Sequence, residues 1–196
     1  MNSFVTYPEE GGPFPVVIFY MDAPGKREEL HMMARRLGSA GYYVILPNLY
    51  YRTAREFQTD GSEASRARMF ELMNSLSSRL VAEDTRAIFD FLAGEEDARG
   101  GATGCVGYCM SGPFSFAMAA AFPARIAAAA SMYGVRLCTD AADSPHRTAH
   151  QIKGELYVGC AETDVWAPRE MIDALQAHLA TTGIRFRIET SPGTPH

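Results

Sequence analysis

Short apolar runs that alternate with helix-period segments constrain this chain most. Val16-Val17-Ile18-Phe19-Tyr20 is unbroken and β-rich, the pattern of a strand buried on both faces of a sheet. Glu28 to Ala40 follows at helical spacing, with Leu30, Met33, Ala34 and Leu37 on one side and Gly41 as its stop. Tyr43 to Leu46 is the next buried strand, closed by Pro47, and Asn48 to Ser62 is a polar loop with aromatic residues. Glu63 to Asn74 and Leu80 to Leu92 are helices, the second with Val81, Thr85, Ile88, Phe89 and Leu92 as an apolar face. After a turn region over Gly94 to Gly101, Thr103 to Tyr108 is a strand that runs into a helix from about Phe114 to Phe122. Ile126 to Tyr133 reads most simply as a strand, although its alanines also suit a helix, and Gly134 to Gln151 is an irregular connection. Glu155 to Cys160 is a strand, Pro168 to Thr182 a helix, Arg185 to Thr190 a last strand and Ser191 to His196 a closing loop. This order implies an α/β fold: a mostly parallel sheet, helices on both faces, right-handed crossovers. Ligands in such folds bind beyond the carboxyl ends of the strands.

The chain has 196 residues, 47% of them hydrophobic, which suits one core and therefore a single domain over residues 1–196. A net charge of -5 gives no electrostatic reason to bind nucleic acid. Arg35-Arg36 beside Lys26 and Arg27 reads as the solvated side of a helix. The longest apolar runs are too short to span a membrane, and the start lacks a basic end followed by a long apolar run. A cytoplasmic protein is expected, with Cys105, Cys109, Cys138 and Cys160 reduced. Their spacing contains neither a C-x-x-C redox pair nor the two close pairs of a zinc site.

The sharpest local feature is Gly107-Tyr108-Cys109-Met110-Ser111-Gly112, between an expected strand and an expected helix. A nucleophile on such a tight turn needs small neighbours. Gly107 is one, and Ser111 stands where glycine is the usual choice. The helix start favours negative charge and can lower a thiol's pKa. The N–H of Met110 could donate to an oxyanion. A plain buried small hydrophobe is the competing reading of Cys109. Asp164 follows a buried strand and precedes a helix, so it is placed either to orient a histidine or to cap the helix. Glu162 is a competing acid, expected to point to solvent. His196 ends the chain after a Pro-Gly loop, completing the order nucleophile, acid, histidine. His31 and His178 fall inside helices, and His146 and His150 precede the acid.

These segments, with Glu-Thr-Asp before Pro168, Pro-Gly-Thr-Pro-His at the end and Pro47-Asn48-Leu49-Tyr50-Tyr51-Arg52, resemble the dienelactone hydrolase family over nearly the whole chain. The resemblance implies the α/β-hydrolase fold and a triad of Cys109 as nucleophile, His196 as general base and acid, and Asp164 as its orienter. It implies an acid contacting the resting thiol at Asp22, where the family usually has glutamate, and a second oxyanion donor at the N–H of Ala23. The family's Arg-x-x-x-Tyr pair for a substrate carboxylate matches Arg66 and Phe70, without the tyrosine hydroxyl. The family's second arginine and last helix lie beyond His196, as expected if the chain is a portion of a longer protein.

The activity expected is hydrolysis of a small ester or lactone through a thioester, with no metal or cofactor. Tyr20, Tyr50, Tyr51, Phe70 and Trp166 are candidate walls of an apolar pocket. Assembly is expected to stop at a monomer or homodimer. Three rivals stay open: a general thiol esterase, a non-catalytic scaffold that binds a ligand or partner, and a redox-sensing thiol at Cys109.

Overall fold

The computed structural model describes residues 1–196. Its seven strands form one mostly parallel sheet in the order β1-β3-β2-β4-β5-β6-β7. The chain divides into two compact units, Met1–Gly104 and Cys105–His196.

In the first unit, β1 is Ser3–Thr6, β2 Phe14–Tyr20 and β3 Tyr43–Pro47, with α1 over Glu28–Ser39. All five β3 residues are buried, as an unbroken apolar run requires. β2 lies parallel to β3, with Val16 opposite Tyr43 and Ile18 opposite Ile45. β1, which sequence periodicity does not announce, pairs antiparallel on the other side of β3, from Ser3 opposite Pro47 to Thr6 opposite Val44. α2 covers Glu63–Asn74 and α3 Ser78–Leu92. Ser62 and Ser77 cap them by accepting the N–H groups of Ser65 and Leu80. The α3 face of Val81, Thr85, Ile88, Phe89 and Leu92 is buried, and Asp84 is buried within it. That charge is matched. Arg52 donates to both carboxylate oxygens at 2.7 and 2.8 Å, and the Tyr51 hydroxyl donates at 2.9 Å.

β4 spans Ala98–Tyr108, beginning inside the segment whose glycines suggest a turn. In the second unit, its end runs into a 3-10 turn at Cys109–Ser111 and then into α4, Gly112–Ala121. α4 is buried almost throughout and packs on β5, Ile126–Met132. The alanine-rich β5 is a strand because it is laddered: Ala128 to Met132 pair in parallel with Glu155 to Gly159 of β6, Glu155–Thr163. A 3-10 segment, Pro145–Gln151, lies within the connection expected to be irregular. α5 covers Arg169–Ala180, and β7, Arg185–Pro195, continues through residues expected as a closing loop. No helix is long and apolar enough to cross a membrane.

Candidate active site

The turn after β4 is built around one backbone conformation. Cys109 has φ 50°, in the left-handed region that costs a non-glycine residue roughly 1–3 kcal/mol. Its neighbours are shaped to hold it there. A Cβ on Gly107 would lie 2.1 Å from the carbonyl oxygen of Ser111, so only glycine fits. Ser111 is fully buried, and its hydroxyl accepts the N–H of Tyr108 at 3.0 Å and donates to the carbonyl of Tyr108 at 3.1 Å. The serine that stands in place of the usual glycine therefore closes the turn with its side chain. A Cβ on Gly112 would come within 2.4 Å of the Gly134 Cα, so α4 starts tight against the segment after β5. From that segment the N–H of Val135 donates to the carbonyl of Cys109 at 3.3 Å.

Asp164 lies just past the end of β6, with its side chain only 1% exposed. Oδ1 accepts the backbone N–H groups of Trp166 at 2.8 Å and Ala167 at 3.0 Å. Oδ2 lies 2.6 Å from Nδ1 of His196. The local turn and the imidazole thus use different oxygens of one carboxylate. Two backbone donors fix the carboxylate, and an ionised carboxylate only accepts, so Nδ1 carries the proton. Nε2 then faces Cys109, 3.2 Å from Sγ. A sulfur, an imidazole and a carboxylate from three separate loops form one hydrogen-bonded chain.

The other thiols differ. Cys105 and Cys160 are buried, and burial pushes the first well above the ordinary thiol range and the second up to about 11. Burial also raises Cys138. All four cysteines are free of disulfides. The remaining histidines have other neighbours: His146 bonds to the Ser144 hydroxyl at 2.8 Å and meets the His178 ring edge to face, and His31 pairs with Glu28 on α1. No group of three or more His, Cys, Asp or Glu side chains is arranged to hold a metal.

Other sequence-derived candidates have the following surroundings. Asp22 offers both carboxylate oxygens to Arg27, at 2.5 and 2.9 Å. Ala23 and Met110 are buried. Tyr50, a candidate pocket wall, is 1% exposed, and its hydroxyl donates to the carbonyl of Ala23 at 2.9 Å. Arg66 is exposed on α2, its guanidinium 6.0 Å from the ring centre of half-buried Phe70. Trp166 is half exposed, beside the still more exposed Val165. Glu162 is exposed yet bonded: its carboxylate accepts the N–H of Gly193 at 2.6 Å. Sequence reasoning missed that bond and the double role of the Ser111 hydroxyl. The only signals were an acid two residues before Asp164 and a hydroxyl where glycine is usual.

A model of the dienelactone hydrolase family matches residues 1–196. A Synechocystis sp. protein with the provisional name carboxymethylenebutenolidase is 24% identical over 98% of this chain and 79% of its own length. A Methylorubrum extorquens protein of the same provisional name is 31% identical, over 90% of this chain and 60% of its own. Among solved structures, a Klebsiella pneumoniae protein with the provisional name dienelactone hydrolase superposes with a TM-score of 0.87 at 21% identity, covering 99% of this chain and 80% of that one. A metagenomic dienelactone hydrolase-like promiscuous phosphotriesterase gives 0.78 at 18% identity, covering 99% and 77%. The two structural likenesses establish the α/β-hydrolase fold.

Proposed function

The chain belongs to the dienelactone hydrolase family, a family of hydrolytic enzymes, and on that footing we propose that it cleaves a small carboxylic ester or lactone with Cys109 as nucleophile. The observation that carries this reading is the contact of His196 Nε2 with Cys109 Sγ at 3.2 Å while Nδ1 is held by Asp164 at 2.6 Å.

His196 takes the thiol proton at Nε2, and the thiolate attacks the carbonyl carbon to form a C–S bond. The charge moves to the carbonyl oxygen, where the N–H of Met110 donates to it. The motif match adds the N–H of Ala23 as a second donor. As the tetrahedral carbon collapses, the C–O bond breaks and His196 returns its proton to the leaving oxygen. Water, deprotonated by the same nitrogen, then attacks the thioester. The C–S bond breaks, the acid leaves, and the thiol regains its proton. The start of α4 favours the negative sulfur and oxyanion. A thiolate leaves the tetrahedral carbon readily, so activated esters and enol lactones are favoured over amides.

The same motif match assigns substrate contacts to Arg66 and Phe70, and the exposed ring of Trp166 beside the acid loop adds an apolar one. A nucleophilic thiol must stay reduced, which supports a cytoplasmic setting. The test is hydrolysis of a chromogenic aryl ester by the wild type and by Cys109→Ala. Turnover that disappears in the variant supports the nucleophile. Equal rates in both would reject it and favour a scaffold that only binds.

A further inference from the structure

β6 and β7 stay in step from Glu155 opposite Arg185 to Ala161 opposite Ser191, and then lose register. Thr163 pairs with Pro195, so a two-residue advance on β6 meets a four-residue advance on β7. Three residues, Pro192-Gly193-Thr194, therefore face the single residue Glu162 and bulge out, with Gly193 at φ +70°. A bulge takes residues out of the ladder, and here side chains supply the missing partners. Glu162 accepts the N–H of Gly193 at 2.6 Å, and the Thr194 hydroxyl donates to the carbonyl of Ser191 at 2.7 Å. His196 follows three residues after Gly193, and Asp164 follows two residues after Glu162. One strand end therefore grips the histidine loop twice, at its turn through Glu162 and at its ring through Asp164.

We propose that Glu162 is a positioning residue that sets where His196 meets Cys109. This inference rests on the catalytic reading of that pair. Pro192 and Gly193 are exposed, so little packing restrains the turn they form. A charge-assisted bond to the glycine of the turn and the Thr194–Ser191 bond are the polar restraints there, and the first is the one that reaches across to β6. Without it the loop samples more conformers, and His196 Nε2 spends less time within reach of Sγ. A displacement near 1 Å at such a contact costs up to roughly a hundredfold in rate.

The experiment follows two rates in wild type, Glu162→Ala, Glu162→Gln and Thr194→Val. One is alkylation of Cys109 by iodoacetamide, read at that cysteine by peptide mass spectrometry. The other is aryl ester turnover, separated into kcat and KM. In Glu162→Ala, both the alkylation rate and kcat fall roughly ten- to hundredfold, with KM and the unfolding midpoint little changed. Glu162→Gln keeps a carbonyl acceptor and recovers most of both rates. Thr194→Val changes both in the same direction by less. Wild-type rates in Glu162→Ala, or a Glu162→Gln no better than Glu162→Ala, overturn the proposal. If Glu162→Ala fails to fold, Glu162→Gln and Thr194→Val decide it by the same criteria: wild-type rates in Thr194→Val, or collapse in Glu162→Gln, overturn it. A wild type that is alkylated but hydrolyses no ester overturns the hydrolase reading alone, because the alkylation comparison still decides the role of Glu162.

Discussion

Replacing Asp164 with asparagine keeps the side chain's shape and reverses one hydrogen bond. In the wild type, Oδ1 accepts from the N–H groups of Trp166 and Ala167, and Oδ2 accepts from Nδ1 of His196 at 2.6 Å. In Asp164→Asn the carbonyl oxygen must stay with the two backbone donors, because an amide nitrogen cannot accept. The amide N–H then points at Nδ1. The ring answers by accepting there, which moves its proton to Nε2. Nε2–H faces Sγ 3.2 Å away and can no longer take the thiol proton. Loss of the correct tautomer with the geometry intact costs about 10⁴ in kcat in the serine-protease precedent, which is ~5 kcal/mol at 1.36 kcal/mol per tenfold. Folding stability hardly moves, because both Oδ1 bonds survive. Asp164→Ala loses comparable activity and also about 1 kcal/mol of stability with those bonds. Initial rates on an aryl ester at neutral pH, beside thermal melts of the three proteins, separate the two effects. An Asp164→Asn enzyme within about tenfold of the wild-type kcat/KM would show that the imidazole does not depend on this carboxylate.

Two further outcomes follow from the same unit. Gly107→Ala forces a Cβ to 2.1 Å from the Ser111 carbonyl. The turn must open, at a cost of about 4 kcal/mol or more; a wild-type urea midpoint contradicts this packing. For His146, burial, then His178 and Arg147, lower the imidazole's pKa from its ordinary 6.5. The unfolded chain therefore binds a proton that the folded one resists, so stability is full above pH 6.5 and declines as pH falls below it, until the lower folded value is passed. His146→Gln removes that part of the acid loss, and parallel stability–pH curves for the two proteins through this window argue against it.

Much of the fold is legible in the sequence where burial is two-sided or periodic. Tyr43 to Leu46 cannot face water on either side, and the α3 face repeats at helical spacing. β1 escapes because Ser3-Phe4-Val5-Thr6 is a short edge segment whose strand character comes from β3. Arg99, Gly100 and Gly101 look like a turn, yet ladder bonds use only backbone and carry β4 back to Ala98. The end of β7 is hidden for a related reason: Pro192 and Gly193 signal a loop, while Pro195 returns to pair with Thr163 across a bulge. Buried Asp84 sits on the apolar face of α3, and its partner Arg52 is 32 residues away, beyond any local pattern. Cys109, Asp164 and His196 stand out by residue type, loop position and chain order. Their distances, and the grip of Glu162 on Gly193, depend on a register shift that no local sequence signal encodes.

In the proposed reaction the acyl group passes through a covalent bond to one sulfur. Mixing the protein with a slight excess of an activated aryl ester, quenching in acid during the first turnover and mapping peptides by mass reads that bond directly. The acyl mass is expected on the peptide containing Cys109, released by hydroxylamine as a thioester and absent from Cys109→Ala. An acyl mass on another residue, with turnover persisting in Cys109→Ala, contradicts it.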